Sequence, residues 1–170
     1  MIQISKMSRE QMHEFYEQFQ YDPVAEGVTT ITPYSYNAQA VDRYYDKQVQ
    51  QGKIHFAILL NQLVIGDIYL KHFNPDEKSC EFGIYLINDD YKGKGYGTQA
   101  ERLMLEYVFQ NMEVDVVFAD TKPENHRGRH VLEKAGFRVI DIDEERIYLE
   151  CRRNNRINGK GEKPGSIGST

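Results

Sequence analysis

Residues 54 to 108 constrain this chain more than any other stretch. Three strand-length apolar runs, Ile54–Leu60, Leu63–Phe73 and Ser79–Ile87, follow one another across short joints, which predicts an antiparallel meander. The first joint is the dipeptide Asn61-Gln62. The second, Asn74 to Lys78, is turn chemistry built on Asn, Pro and Asp. The third run leads into Lys92-Gly93-Lys94-Gly95-Tyr96-Gly97-Thr98 and then into an amphipathic helix with Ala100, Leu103, Met104, Tyr107 and Val108 on one side. Strand, glycine-rich turn and helix start, in that order, form an anion site. The first N–H groups of a helix have no internal acceptor, and the helix dipole adds partial positive charge. Glycines let the backbone approach a phosphate closely, and Lys92 and Lys94 add charge. The loop lacks the Lys-Ser/Thr ending of a P-loop and the G-x-G-x-x-G spacing of a dinucleotide fold. Taken alone, it fits a diphosphate cradle and a plain tight turn equally.

Upstream, Ile2 and Ile4 alternate with polar residues as a short first strand. Ser8 to Gln11 reads as a capping box, and Met12, Phe15, Tyr16 and Phe19 carry a helix to about Gln20. Residues 21 to 36, with Pro23, Gly27 and Pro33, read as a loop, and a second helix runs from Asn37 to a stop at Gly52. Downstream, Val114–Ala119 is a short buried strand. A helix opens at Pro123 and Asn125 and ends at Gly136, and Phe137–Ile142 and Arg146–Cys151 close the chain as strands around an acidic turn. The order β-α-α-β-β-β-α-β-α-β-β describes one α/β (α+β mixed) domain with a mostly antiparallel central sheet. That domain is expected over 1–153, with 154–170, which has no periodicity, as a flexible tail.

Charge narrows the partners. The net charge is -5, and five basic residues against one acid from Arg152 onward leave the preceding part at -9. An acidic body disfavours a nucleic-acid groove and suits a cationic partner such as an amine. Cys80 and Cys151 form no disulfide framework and fit a reducing cytoplasm. The first residues have no apolar signal core, and no run is long enough to span a bilayer, so no membrane partner is expected.

Two motifs together carry a family resemblance. Lys92-x-x-Gly95-x-Gly97 resembles the Gln/Arg-x-x-Gly-x-Gly/Ala acetyl-CoA loop of the GNAT superfamily of N-acetyltransferases. Glu81-Phe82-Gly83-Ile84-Tyr85-Leu86, then Asp90-Tyr91-Lys92-Gly93-Lys94-Gly95, is similar to the branch typified by the ribosomal-protein N-acetyltransferases RimJ and RimL. Asn125, followed by Val131-Leu132-Glu133-Lys134-Ala135-Gly136-Phe137, resembles that branch's N-x-x-S-x-x-V-L-E-K-x-G-F helix. The motifs lie at the family's usual separation, the match covers roughly residues 50 to 150, and the first 50 residues are compatible with it.

The resemblance implies a GNAT fold with a splay between the fourth and fifth strands, and acetyl-CoA (coenzyme A) as cofactor. Leu86, Ile87 and Asn88 would pair with the pantetheine arm like an added strand, one of their N–H groups serving the tetrahedral oxyanion. Lys92, Gly93, Lys94, Gly95, Tyr96, Gly97 and Thr98 would cradle the pyrophosphate. Asn125 would hydrogen-bond the cofactor while capping its helix. A lysine amine has a pKa of ~10.4 and an α-amine ~8, so a general base is needed. Glu81 matches an acidic position of the branch; its other reading is a cross-strand pair with Lys71. Leu132 stands where many relatives have a Tyr acid, and Gly128 where the branch often has Ser. The thiolate would then leave unprotonated, or Tyr85 or His130 would serve.

The expected reaction is direct acetyl transfer in a ternary complex to a primary amine, either a protein N-terminus or a small molecule. The alternative is a GNAT-fold module that binds acyl-CoA without chemistry. The chain would act as a monomer or homodimer. His126 and His130 lack a third ligand and an intervening Glu, so no metal is expected. Arg127 and Arg129 would meet the 3′-phosphate of CoA or lie in solvent. The tyrosines from Tyr34 to Tyr45 would line the acceptor site or pack as core. Cys80, on the core face of its strand, is not expected to be a nucleophile.

Overall fold

Asn61 and Gln62 both adopt positive φ, 49° and 72°, the left-handed pair that reverses a hairpin in two residues. They join β2 (Ile54–Leu60) to β3 (Leu63–Asn74), and the Asn74–Lys78 turn joins β3 to β4 (Ser79–Leu86). This is the expected meander. In this computed structural model, which describes residues 1–26 and 33–154, β1 (Ile2–Lys6) adds antiparallel to β2. On the other side come β5 (Val116–Thr121), β6 (Arg138–Ile142) and β7 (Ile147–Arg152). Among the described residues these make one seven-stranded sheet of order β1-β2-β3-β4-β5-β7-β6, antiparallel except between β4 and β5.

Both sheet faces are covered, which is why β2 reads as an unbroken apolar run, Ile-His-Phe-Ala-Ile-Leu-Leu. α4 (Tyr96–Asn111) and α5 (His126–Ala135) lie on one face, where Phe56, Ile58, Ile68 and Leu70 pack with Met104 and Leu132. α1 (Arg9–Gln18) and α3 (Ala38–Gln50) cover the other, where Ala57, Leu59 and Val64 meet Met12, Phe15 and Val41. The caps are those the sequence predicts. Ser8 Oγ accepts from the Gln11 N–H at 3.1 Å while the Ser8 N–H donates to Gln11 Oε1 at 3.0 Å, and Asn37 caps α3 through the Ala40 N–H at 2.8 Å. Within the expected loop a short helix appears, α2 (Pro23–Glu26). Asp22 Oδ1 accepts from the Val24 N–H at 3.0 Å, and Pro23 at the first helical position has no N–H to satisfy.

The chain runs off the sheet at Arg152, and Arg153 then clamps the far end of α4. Its guanidinium donates to the carbonyls of Phe109, Met112 and Val114 and pairs with Asp115. The expected tail beyond Asn154 lies outside the described residues.

The parallel β4–β5 ladder holds only three residue pairs, ending at Glu81 and Phe118. β4 runs on to Leu86 against β3, and β5 runs on to Thr121 against β7. The two strands therefore diverge at the sheet's centre, in the expected splay.

Candidate active site

A cleft of about 370 Å³ fills that divergence. Phe82 to Leu86 form one wall and Ala119 to Lys122 the other, with Gly97 of α4 and Gly128 and Val131 of α5 also lining it. The Gln20 N–H donates to the Ile87 carbonyl at 2.7 Å, which pins the end of α1 to the strand and brings Phe19 and Asp22 to the mouth.

At the helix end, Gly93 and Gly95 have φ of 73° and 81°. A side chain would be strained there although space is open, with nothing within 4 Å of a Cβ at Gly93. Gly95 is the N-cap of α4 and contributes no side-chain acceptor, so the first N–H groups of α4 keep their hydrogen-bonding capacity for an outside acceptor. At Gly97 a Cβ would meet Val131 Cγ1 at 3.4 Å, an ordinary packing distance, so α4 and α5 lie in contact at this point. The Lys92 ammonium lines the cleft but is already paired, to Asp22 Oδ2 at 2.6 Å and Asp89 Oδ1 at 3.0 Å. Burial works to raise the Asp22 carboxyl, but Lys92 and the Ala25 and Val24 amides hold it below its ordinary range. Five cationic side chains, Lys71, Lys92, Lys122, Arg127 and Arg146, line the cleft of a chain whose net charge is -5. Asp22, Glu101 and Asp120 also line it, and Lys71, Lys92, Arg127 and Arg146 each have an acidic partner, so the excess of cations is modest.

Asn125 caps α5 through the Gly128 N–H at 3.0 Å. A Cβ at Gly128 would lie 2.5 Å from Asn125 Nδ2. Glycine at position 128 thus lets the Asn125 amide fold across the helix start. The Nδ2 has no partner among the described residues, and Asn125 lines the cleft.

The α1/α3 face of the cleft is aromatic. Tyr69 lies flat across β4, so close to Gly83 that a Cβ there would sit 2.4 Å from its hydroxyl. Its ring stacks on His55 at 5.2 Å and on Tyr85 at 6.3 Å. His55 is held in turn: Nδ1 lies 2.8 Å and 2.9 Å from the two Asp67 oxygens, and Nε2 lies 3.0 Å from Gln48 Oε1. Burial pushes the Asp67 carboxyl up and the His55 contact opposes it. Burial raises the Tyr16 and Tyr69 phenols and takes Tyr44 up to about 12, so these rings stay neutral at physiological pH. Phe19 meets Tyr85 edge-on at 6.0 Å, and Tyr34 edge-on at 5.7 Å. Tyr34 packs on Phe19 behind this wall, and Tyr44 and Tyr45 pack with the α1/α3 core.

The expected site residues fall into two groups. Tyr85, Leu86, Lys92, Gly97 and Asn125 line the one cleft. Glu81 stands at its edge with its carboxylate 2.9 Å from His72 Nδ1 and 3.9 Å from Lys71 Nζ, so the cross-strand pair is present. Ile87 turns inward and is 1% exposed, with its N–H donated to the Ile65 carbonyl at 2.9 Å. That N–H is therefore spent, and the β4 backbone edge facing the cleft is that of Phe82 to Leu86. Asn88 caps a 3-10 turn at Asp89–Tyr91. Gly93, Lys94 and Gly95 are exposed at the start of α4, Tyr96 packs on the core and Thr98 is buried. Cys80 is buried, and burial takes its thiol up to about 12. The cleft residues that were not expected include Asp22, Tyr69, Glu101, Asp120 and Arg146. Tyr69 was legible from alternation, since Asp67, Tyr69 and Lys71 share a strand face.

The model of the acetyltransferase (GNAT) domain family matches residues 2–138. The chain belongs to the GNAT acetyltransferase family. Over 124 residues this GNAT chain is 28% identical to the probable N-acetyltransferase YjcK of Bacillus subtilis, covering 72% of this chain and 64% of that one. It is 30% identical over 104 residues to the acetyltransferase PseH of Campylobacter jejuni, covering 61% and 63%. With the spermidine N(1)-acetyltransferase of Escherichia coli it shares 29% over 114 residues, covering 66% and 61%. The matches thus span less than two thirds of the length of these relatives. Among solved structures, AAC(6')-Ib in complex with ribostamycin and coenzyme A superposes with a TM-score of 0.78 at 19% identity, covering 95% and 99% of the two chains. Spermidine N-acetyltransferase from Vibrio cholerae in complex with CoA and spermine gives 0.75 at 16%, covering 92% and 98%. These likenesses establish the GNAT fold.

Proposed function

We propose that the chain transfers the acetyl group of acetyl-CoA to a primary amine of a small cationic molecule, in a ternary complex at the β4–β5 divergence. The observation that carries this is the abrupt end of the β4–β5 ladder after Glu81 and Phe118. It leaves the facing edges of β4 and β5 unpaired along a cleft that joins an amide-rich end to an aromatic one. The uncapped α4 start, Lys92, Arg127 and the free Asn125 amide nitrogen fit the cofactor's phosphates. The open edge of Phe82 to Leu86 fits the pantetheine arm as an added strand. Acetyl-CoA supplies the activated acyl group when bound.

The remaining work falls to residues of this chain. Phe19, Tyr69 and Tyr85 present ring faces and edges to the cleft, a wall suited to an ammonium group by cation–π attraction. The acceptor must then lose a proton. Glu81 and Asp120 are the carboxylates at this edge: Glu81 carries the family motif, and Asp120, 3.3 Å from Arg146, lines the cleft. Glu81 acts as base directly or through water, and Tyr85 orients the amine. The relatives named for spermidine and the neighbours bound to spermine or ribostamycin support a small amine. The RimJ/RimL-like motif at Glu81–Leu86 is the ground for a protein N-terminus, and the test includes one.

Purified protein is mixed with acetyl-CoA and polyamines, amino sugars or an N-terminal peptide, and free thiol is followed. Turnover on a small amine, lost by about 10²-fold or more in Glu81→Gln, supports the reading. A larger loss in Asp120→Asn than in Glu81→Gln moves the base to Asp120. Thermal stabilisation by CoA without turnover on any amine favours the non-catalytic acyl-CoA-binding module. Turnover on the peptide alone reinstates the protein N-terminus.

A further inference from the structure

The inner face of α4 runs Ala100, Glu101, Met104, Leu105, Val108, all buried. Four of these are apolar, as a core-facing helix requires. Glu101 is the exception. It is 1% exposed, it lines the cleft, and its Oε2 has no hydrogen-bond partner among the described residues. Burial raises its carboxyl well above the ordinary glutamate range. A buried polar atom with no partner is rare in folded proteins and costly. A leucine at the same place would complete the core at no such cost.

Position says what the carboxyl is for. Glu101 lies one turn past Gly97, so its Cα stands about 6 Å along the helix axis from the diphosphate cradle. Its side chain borders the gap opposite the open edge of β4. Accepting the function above, we infer that Glu101 is a cofactor-binding residue that donates a hydrogen bond from its carboxyl to an amide carbonyl of the pantetheine arm. The arm would thus be held from two sides, by the β4 backbone as an added strand and by Glu101 from the helix beneath. One helical turn does not reach from the phosphates to the far end of the arm, so the contact is with the arm's near half and not with the thioester. No proton transfer is involved. A neutral carboxyl is one of the few side chains that can sit in an apolar floor and still donate to a carbonyl.

Isothermal titration of the full chain with two ligands tests this: acetyl-CoA, and adenosine 3′-phosphate 5′-diphosphate, which carries the phosphates but no arm. Glu101→Leu is expected to weaken acetyl-CoA about tenfold and to leave the armless nucleotide unchanged. Glu101→Gln, whose amide N–H replaces the donor, stays within about threefold for acetyl-CoA. In steady state the loss falls mainly on KM for acetyl-CoA. Unchanged acetyl-CoA affinity in Glu101→Leu, with raised thermal stability, overturns the inference and makes Glu101 a buried carboxyl without a ligand. Equal weakening toward both ligands also overturns it, because the defect then lies at the phosphates. Should Glu101→Leu fail to fold, infrared spectra decide. The protonated-carboxyl band, identified by its loss in Glu101→Gln, shifts to lower frequency with acetyl-CoA and not with the armless nucleotide; a band that ignores acetyl-CoA refutes the contact. If the wild type binds neither ligand, the proposed function itself falls, and that result is distinct from all of these.

Discussion

Gly83→Ala tests whether β4 carries glycine because Tyr69 lies across it. A Cβ at residue 83 would sit 2.4 Å from both Cζ and the hydroxyl of Tyr69, whereas non-bonded atoms rest about 3.5–4.0 Å apart. The phenol must shift by more than about 1 Å. It is held between His55 and Tyr85, so the shift takes it off its rotamer, at about 0.5–1.5 kcal/mol. It also loosens a ring pair worth about 0.5–1.5 kcal/mol. Alanine recovers about 0.5–1 kcal/mol over glycine inside a strand, so the net expected loss is about 0–2.5 kcal/mol. In a Tyr69→Ala background the obstruction is gone and the sign reverses: Gly83→Ala should stabilise by about 0.5–1 kcal/mol. Urea unfolding of the four proteins in the cycle yields the coupling energy, expected at about 1–3 kcal/mol. Kinetics of Gly83→Ala should show KM for the amine rising more than KM for acetyl-CoA. A coupling below about 0.3 kcal/mol would falsify the idea that Tyr69 dictates this glycine.

Other perturbations follow from the same geometry. Glu101 keeps its proton in the fold, while an unfolded glutamate releases it near pH ~4.3. Wild-type stability relative to Glu101→Gln should therefore fall as pH rises above that value, by up to about 1.4 kcal/mol per unit, until the folded group also ionises; denaturant midpoints that run parallel between about pH 5 and 8 would contradict this. Asp67→Asn breaks the buried pair with His55 and should cost about 3–5 kcal/mol by chemical unfolding. Arg153→Ala removes donors to three carbonyls at the end of α4 and should cost about 2 kcal/mol, a fall of about 4–8 °C in Tm. Asp22→Asn releases Lys92 from its 2.6 Å partner and should tighten CoA by about 1 kcal/mol in calorimetry; weaker binding would show that Asp22 positions Lys92.

Much of the fold is local and so was legible. The capping box at Ser8, the Asn61-Gln62 hairpin, the apolar runs of β2 to β4 and the Gly136 stop each depend on residues a few positions apart. The left-handed backbone at Gly93 and Gly95 is likewise a property of neighbouring torsions. The boundary of β5 was less legible. Val114 reads as strand, yet its carbonyl is taken by Arg153, 39 positions along the chain, and β5 begins at Val116.

Alternation and helical period, acting along the chain, determined the strand meander, the helices and the glycine loop between them. Only the tertiary structure decided which side chains share the cleft. Glu81 was placed on the right face by period 2, but its partners, His72 across an irregular β3 and Lys71 opposite, depend on register between strands. Ile87 lost its N–H to a neighbouring strand. Tyr69, Asp120 and Glu101 come from three elements that meet only because β4 and β5 part after Glu81. Burial raises the Glu101 carboxyl well above the ordinary glutamate range, which its place on an amphipathic helix does not foretell. Pairing across strands and exclusion of water are properties of the packed whole, and no local pattern encodes them.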